Sequence, residues 1–296
     1  MKIGVCGTGR MGGAIAQRLI DVGHEVGVWN RDPVKLKPLV DAGATRYASP
    51  AELAAGCEAV IVMLLNDAAA EVIYRGPNGL LKADLAGKLI IDMSTLRPDT
   101  MISVGTAVTQ KGAGFVDCPV GGSTVPAKEG KLFGLLGGAN ADVARAMPLL
   151  QQLCRRIEHV GALGAGSTVK LAVNLPLLVY WQALGESLTI CKPLNLPADR
   201  LIDILTDTSG APAAMKGRGP AIAKVLGGAP PGEIAFALSG AKKDLATAVQ
   251  FAASIHAELP VAASALACFE EAEAAGFGDA DATTVSVRWS QRPPKS

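Results

Sequence analysis

The chain has 296 residues, of which 49% are hydrophobic and 19% charged, so two domains with well-filled cores are the natural organisation and disorder is excluded. A net charge of +1 gives no electrostatic basis for binding nucleic acid or a membrane surface. No stretch approaches the ~18 uninterrupted apolar residues of a membrane span.

The first segment, Lys2-Ile3-Gly4-Val5-Cys6, reads as a short buried strand. It runs into Gly7-Thr8-Gly9-Arg10-Met11-Gly12, and a helix follows with its apolar side at Ile15, Ala16, Leu19 and Ile20. Strand, glycine turn and helix form the context that dinucleotide binding needs. The first glycine makes the tight turn, the second lets a pyrophosphate approach the backbone, and the third lets helix and strand pack closely. The helix N-terminus offers unpaired N–H groups to the phosphates. Glycines also cluster in ordinary turns, but Gly23 to Trp29 supplies a turn and a second strand, so a whole βαβ unit is visible.

An NAD-binding unit carries Asp or Glu about 20 residues past the turn, bonding the ribose 2′-hydroxyl. Here the second strand ends in Asn30-Arg31-Asp32. A neutral Asn30 does not repel a 2′-phosphate, Arg31 can fork onto it, and Lys35 adds a second positive charge. This pattern predicts NADP(H). The alternative is a solvated Arg31 and Lys35, with Asp32 on the ribose.

Strands and helices keep alternating. Val34 to Ala42 is expected to be a helix ended by Gly43, and Thr45 to Ala48 a short strand. Ser49-Pro50-Ala51-Glu52 has the form of a capping box. Ala59 to Leu65 is a continuous apolar strand of the kind buried on both faces of a parallel sheet. Its end, through Asn66-Asp67, belongs at the carboxyl edge, where such sheets bind ligands. Leu89 to Met93 is the next strand, and Arg97-Pro98-Asp99 starts a helix reaching about Lys111. Phe115 to Val120 leads into Gly121-Gly122-Ser123. A strand at Leu132 to Leu136, a helix at Ala141 to Leu153 and a last strand at Ile157 to Val160 complete a doubly wound parallel sheet with some later antiparallel strands.

The character changes after Gly161-Ala162-Leu163-Gly164-Ala165-Gly166. We place the domain boundary between residues 162 and 163. A long apolar helix is expected from Ser167 to about Cys191, with Pro176 as a candidate kink. Helices are expected at Ala198 to Leu205, Pro220 to Val225, Lys242 to Ile255 and Val261 to Ala275. Ser209 to Pro231 reads as a loop or short helices near the site, and Gln291 to Ser296 as a mobile tail. The long helix is apolar on more than one face, which predicts burial against a second copy and hence a dimer or larger assembly. The six scattered cysteines have no metal-ligand spacing. They fit a reduced, cytoplasmic protein with no metal site, and the glycine turn directly after the first strand predicts no signal peptide.

Reduction by a nicotinamide needs a group that moves a proton. Lys170 and Asn174 lie four apart on one face of the long helix, whose first turns are expected at the cleft between the domains. A lysine taken out of water there suits proton transfer, but from spacing alone a surface lysine near a helix start accounts for it better.

Across nearly its whole length the chain resembles the β-hydroxyacid dehydrogenase family, which includes 3-hydroxyisobutyrate dehydrogenases, tartronate-semialdehyde reductases and glyoxylate/succinic-semialdehyde reductases. The resemblance is carried by Gly7 to Gly12, Met63-Leu64-Leu65, Asp92-Met93-Ser94-Thr95, Asp117-Cys118-Pro119-Val120-Gly121-Gly122-Ser123, Gly166 to Asn174, and Lys243-Asp244-Leu245. It implies a Rossmann domain followed by an all-helical domain, with the site between them. Lys170 would be the catalytic acid/base, with Asn174 positioning it or the substrate. Met63, Leu64, Leu65 and Thr95 would line the cofactor, with Lys243 near its nicotinamide end. Gly121, Gly122, Ser123 and Phe236 are assigned to the substrate, a small hydroxy acid or its aldehyde or keto acid. Asn30-Arg31 resembles the NADP-preferring, glyoxylate-reductase-like members.

The chain also departs from the pattern. The family has Ser-Gly-Gly where this sequence has Gly121-Gly122-Ser123, so Ser123 would supply its hydroxyl from a shifted position, beside backbone N–H groups that bind an anion. Leu64-Leu65 replaces Leu-Pro, and residues 209–231 are less typical. Imine reductases are related proteins in which the lysine is replaced, so Lys170 argues for a carbonyl substrate. The competing class is a non-catalytic nucleotide-binding sensor or scaffold, which has no need of Lys170, Asn174 and Lys243.

Overall fold

The computed structural model describes residues 1–232 and 234–292. It divides into two compact units, Met1–Leu171 and Ala172–Ser296.

The first unit alternates strand and helix: β1 (Lys2–Cys6), α1 (Arg10–Asp21), β2 (Glu25–Trp29), α2 (Lys37–Asp41), β3 (Thr45–Arg46), α3 (Pro50–Gly56), β4 (Ala59–Val62), α4 (Asp67–Arg75), β5 (Leu89–Asp92), α5 (Pro98–Thr109) and β6 (Gly114–Asp117). It continues through β7 (Val120–Gly121), α6 (Thr124–Lys128), β8 (Leu132–Gly138), α7 (Asn140–Leu153) and β9 (Cys154–Gly161) into the long helix α8 (Ala165–Cys191). The sheet order is β3-β2-β1-β4-β5-β6-β8-β7, with β9 also paired to β8. Strands β3 to β6 run parallel, while β8 is antiparallel to β6 and β7 and parallel to β9. This is the expected doubly wound sheet.

The sheet is covered on both faces, which is why its central strands are uninterrupted apolar runs. Along β4, Ile61 joins one core, with Ile3, Val5, Ile15, Leu19 and Leu150. Its neighbours Val60 and Val62 join the other, with Leu53, Tyr74, Ile90 and Phe115. Caps set the helix starts: the Glu52 N–H bonds Ser49 Oγ at 3.1 Å, and the Ala69 N–H bonds Asn66 Oδ1 at 2.9 Å.

The second unit is helical: the remainder of α8, then α9 (Ala198–Thr206), α10 (Ala214–Leu226), α11 (Leu238–Ser254), α12 (Pro260–Ala272) and α13 (Thr284–Ser290). Leu178, Trp181, Leu184 and Leu188 of α8 recur at helical spacing and pack with Leu201, Ile202, Met215, Ile222, Leu245 and Phe269.

Several elements differ from expectation. The stretch expected as a helix from Val34 to Ala42 is a short 3₁₀ turn, Pro33–Leu36, followed by α2. Residues 209–231 hold a 13-residue helix, α10, with Pro220 inside it. Helix α8 continues through Pro176. Strand β9 is twice the expected length, because its pairing with β8 extends from Leu132 to Gly137. Of the expected mobile tail, residues 293–296 lie outside the described residues, whereas Gln291 bonds the Val287 carbonyl and Arg292 stacks over the Trp289 ring at 3.7 Å.

Candidate functional site

In the first unit the candidate nucleotide residues gather at the carboxyl ends of β1, β2, β4 and β5. Gly7 has φ +96°, and a Cβ there would stand 2.2 Å from the Met63 carbonyl oxygen. A Cβ at Gly12 would stand 1.9 Å from the Gly7 carbonyl oxygen, so α1 can press onto the turn only without one. At Gly9 a Cβ would meet nothing within 4 Å. The turn is therefore closed on the protein side and open above Gly9, where a pyrophosphate needs the backbone bare. Thr8 is buried beside it, with its hydroxyl oxygen unpartnered. Arg10 is exposed and Met11 half-buried. These residues fit a dinucleotide.

Asn30 does more than replace an acid. Its Oδ1 accepts the Thr8 N–H at 3.2 Å, and its Nδ2 donates to the Asp32 carbonyl at 2.9 Å. It therefore ties the glycine turn to the loop that carries Arg31. Asp32 Oδ1 accepts the Val34 N–H at 3.1 Å, which occupies one oxygen of the carboxylate. Arg31 and Lys35 are exposed.

Met63 and Leu64 are half-buried and Leu65 is 66% exposed, just past β4. The Leu64 N–H donates to Ser94 Oγ at 2.8 Å, and the Arg97 N–H to Asp67 Oδ1 at 3.0 Å. The two loops that carry Leu64, Leu65 and Thr95 are thus pinned to each other. Behind them Asp92, fully buried at the end of β5, accepts the Ser94 N–H at 2.9 Å and the Tyr74 hydroxyl at 2.8 Å. Burial pushes the Asp92 carboxyl up to about 6, against these hydrogen bonds.

Gly121 ends β7, and Gly122 has φ +122°. A Cβ at Gly121 would have Phe133 atoms as its nearest neighbours, none closer than 3.7 Å. Ser123 precedes α6 without capping it. Asp117, fully buried at the end of β6, accepts the Gly164 N–H on Oδ1 at 2.9 Å and the Ser167 N–H on Oδ2 at 2.7 Å. Burial raises its carboxyl, and the two backbone N–H groups counter that. Lys170 follows on α8, only 7% exposed.

Asn174, one turn further along α8, lies in the second unit. Its Nδ2 donates to Asp244 Oδ2 at 2.8 Å, and Asp244 Oδ1 pairs with Lys243 Nζ at 2.5 Å. Asp244 is 5% exposed. Phe236 is half-buried, and Asp281 fixes it by accepting the N–H groups of Ala235 and Phe236 while pairing with Arg218. The reading from sequence had no role for Asp92, Ser94, Asp117, Asp244 or Asp281. The first four stand inside the motifs quoted above, but their partners are set by the fold.

Residues 2–161 match a family profile described as the NAD binding domain of 6-phosphogluconate dehydrogenase. Residues 164–288 match one described as the NAD-binding region of NADP-dependent 3-hydroxyisobutyrate dehydrogenase. The chain is 35% identical to glyoxylate/succinic semialdehyde reductase 1 of Arabidopsis thaliana over 96% of its own length and 97% of the relative's. It is 34% identical to a 3-hydroxyisobutyrate dehydrogenase of Pseudomonas aeruginosa, covering 89% of each. The crystal structure of a 3-hydroxyisobutyrate dehydrogenase from Salmonella typhimurium shares the fold with a TM-score of 0.85 at 24% identity, covering 97% of this chain and 99% of that one.

Proposed function

Because the chain belongs to the β-hydroxyacid dehydrogenase family, we propose that it interconverts a small hydroxy acid and its aldehyde or keto acid, with Lys170 as the acid/base. The protein is an NADP(H)-dependent oxidoreductase. The observation that carries the proposal is Lys170 itself: it is only 7% exposed and stands one turn before Asn174, and a lysine withdrawn from water in this motif is the kind of group that proton transfer uses.

NADPH, when bound, supplies the hydride. Lys170 Nζ gives a proton to the carbonyl oxygen during reduction and takes it back during oxidation. Asn174, its carboxamide fixed by Asp244, holds the lysine or the substrate in one orientation. The N–H groups of Gly121 and Gly122, with the Ser123 hydroxyl, would hold the substrate carboxylate, and Phe236 is assigned to the substrate as well. Gly7 to Gly12 would cradle the pyrophosphate, Arg31 and Lys35 would read the 2′-phosphate, Met63, Leu64, Leu65 and Thr95 would line the cofactor, and Lys243 is assigned to the cofactor as well.

The chain works in the cytoplasm as a homodimer or homotetramer. Val173 and Ile190 of α8 and Val261 of α12, 49%, 79% and 66% exposed, support assembly. Light scattering tests it against the 30.2 kDa of one chain. Among the described residues no helix is long and apolar enough to cross a membrane.

The test is a panel of small aldehydo and keto acids, with cyclic imines alongside, mixed with the protein and NADPH and followed by nicotinamide absorbance. Oxidation of NADPH by a carboxylate-bearing carbonyl supports the proposal. Turnover of imines alone, or of nothing, refutes it.

A further inference from the structure

We propose that Asp117 is the residue that positions Lys170. The inference rests on the reading of Lys170 as the acid/base. Asp117 ends β6, which is paired to β5 on one side and to β8 on the other. A strand held on both edges is a fixed post. Both oxygens of its carboxylate are taken by backbone N–H groups at the start of α8, Gly164 at 2.9 Å and Ser167 at 2.7 Å. Hydrogen bonds to a carboxylate are stronger than neutral ones, and this pair is fully buried, away from competing water.

The two bonds act as a two-point clamp on the first turn of the helix. A single bond would let the helix start pivot, whereas two bonds, on either side of Ala165 and Gly166, fix both its height and its rotation. The approach is close enough to exclude a side chain: a Cβ at Gly166 would stand 2.2 Å from the Leu135 carbonyl oxygen and 3.0 Å from Asp117 Oδ2. Lys170 lies three residues beyond Ser167, about 4.5 Å along the axis at 1.5 Å per residue. Any shift of the clamp passes into the lysine with little helix between to absorb it. Asp117 is not itself a proton carrier for the substrate, because it is fully buried and each of its oxygens is already engaged.

The role is separable from stability by a double-mutant cycle. Asp117→Asn keeps the shape but turns an N–H donor toward one of the two backbone donors. In the otherwise unaltered enzyme it lowers kcat by about 10–100-fold, the size of effect that misplacing a reacting group produces. The NADPH Kd stays within about twofold, because the clamp holds no cofactor residue. In a Lys170→Ala background the same substitution costs less than about twofold, because there is no lysine left to misplace. Should Asp117→Asn not fold, Gly166→Ala displaces the same helix start and is read in the same cycle. Equal losses of kcat in both backgrounds, or a folded Asp117→Asn with undiminished kcat, overturn the inference while leaving Lys170 catalytic. Undiminished turnover in Lys170→Ala overturns the catalytic reading, and the inference with it.

Discussion

Asn174 donates its side-chain N–H to Asp244, 2.8 Å away and 70 residues further along the chain. The bond fixes the Asn174 carboxamide, and Asp244 is held in turn by Lys243. Asp244→Ala therefore removes the acceptor that fixes the carboxamide and one partner of Lys243. We expect kcat/KM to fall by about tenfold or more, equivalent to one hydrogen bond to a charged group. Asp244→Asn, which can still accept from Asn174, recovers part of it. Steady-state kinetics of the two variants check this, and equal activity of both with the unaltered enzyme contradicts it.

Arg31→Ala should weaken NADPH binding and leave NADH nearly unchanged. A charged hydrogen bond to a phosphate contributes about 1.5–3 kcal/mol, or roughly tenfold to over a hundredfold in affinity. Fluorescence titration with both cofactors reads the difference. Equal losses for both would mean that Arg31 does not read the 2′-phosphate.

Asp92 gives stability a specific pH dependence. Its carboxyl is raised from 3.8 to about 6, chiefly by burial. The folded state therefore holds the proton more tightly than the unfolded chain. The resulting stabilisation is fully present below about pH 4 and is lost as the pH rises through about 6, with a total on the order of 3 kcal/mol. Asp92→Asn lacks this titration. Urea unfolding at pH 4.5 and pH 7 should show the variant gaining on the unaltered protein as the pH rises. A constant difference between them would sink the assignment.

Gly121 leaves room for a side chain, since a Cβ there would approach nothing nearer than 3.7 Å. Gly121→Ser should fold with unchanged thermal stability and lower the KM for a carboxylate substrate by about fivefold, one added hydrogen bond. An unchanged KM would place the carboxylate away from β7.

The parts of the fold that could be read in sequence are those where local pattern and tertiary role coincide. The glycine turn, the apolar β4 and the Ser49 cap each announce themselves within a few residues. Helix α10 does so only from Pro220 to Val225, because Gly217 and Gly219 speak against its first half, where burial of Met215 overrides them. No helix is expected at α13, though Val285 and Val287 are buried in the core of the second unit. At the site, Lys170 and Asn174 were legible as a pair on one helix. Their supports, Asp117 and Asp244, were not, because each partnership joins residues about 50 or more apart. Asn30 was legible only as a missing acid, whereas its bond to the Thr8 N–H emerges once β1 and β2 lie side by side.

The central claim is that Lys170 moves the proton, and kcat for Lys170→Ala and Lys170→Arg, with NADPH affinity as control, tests it most directly. The account predicts a fall of about 10²–10⁴ in kcat for the alanine variant, little recovery with arginine, whose guanidinium stays protonated, and NADPH binding intact in both. A raised KM with kcat preserved in Lys170→Ala, or a rate largely restored by Lys170→Arg, would make Lys170 a binding residue and contradict the account.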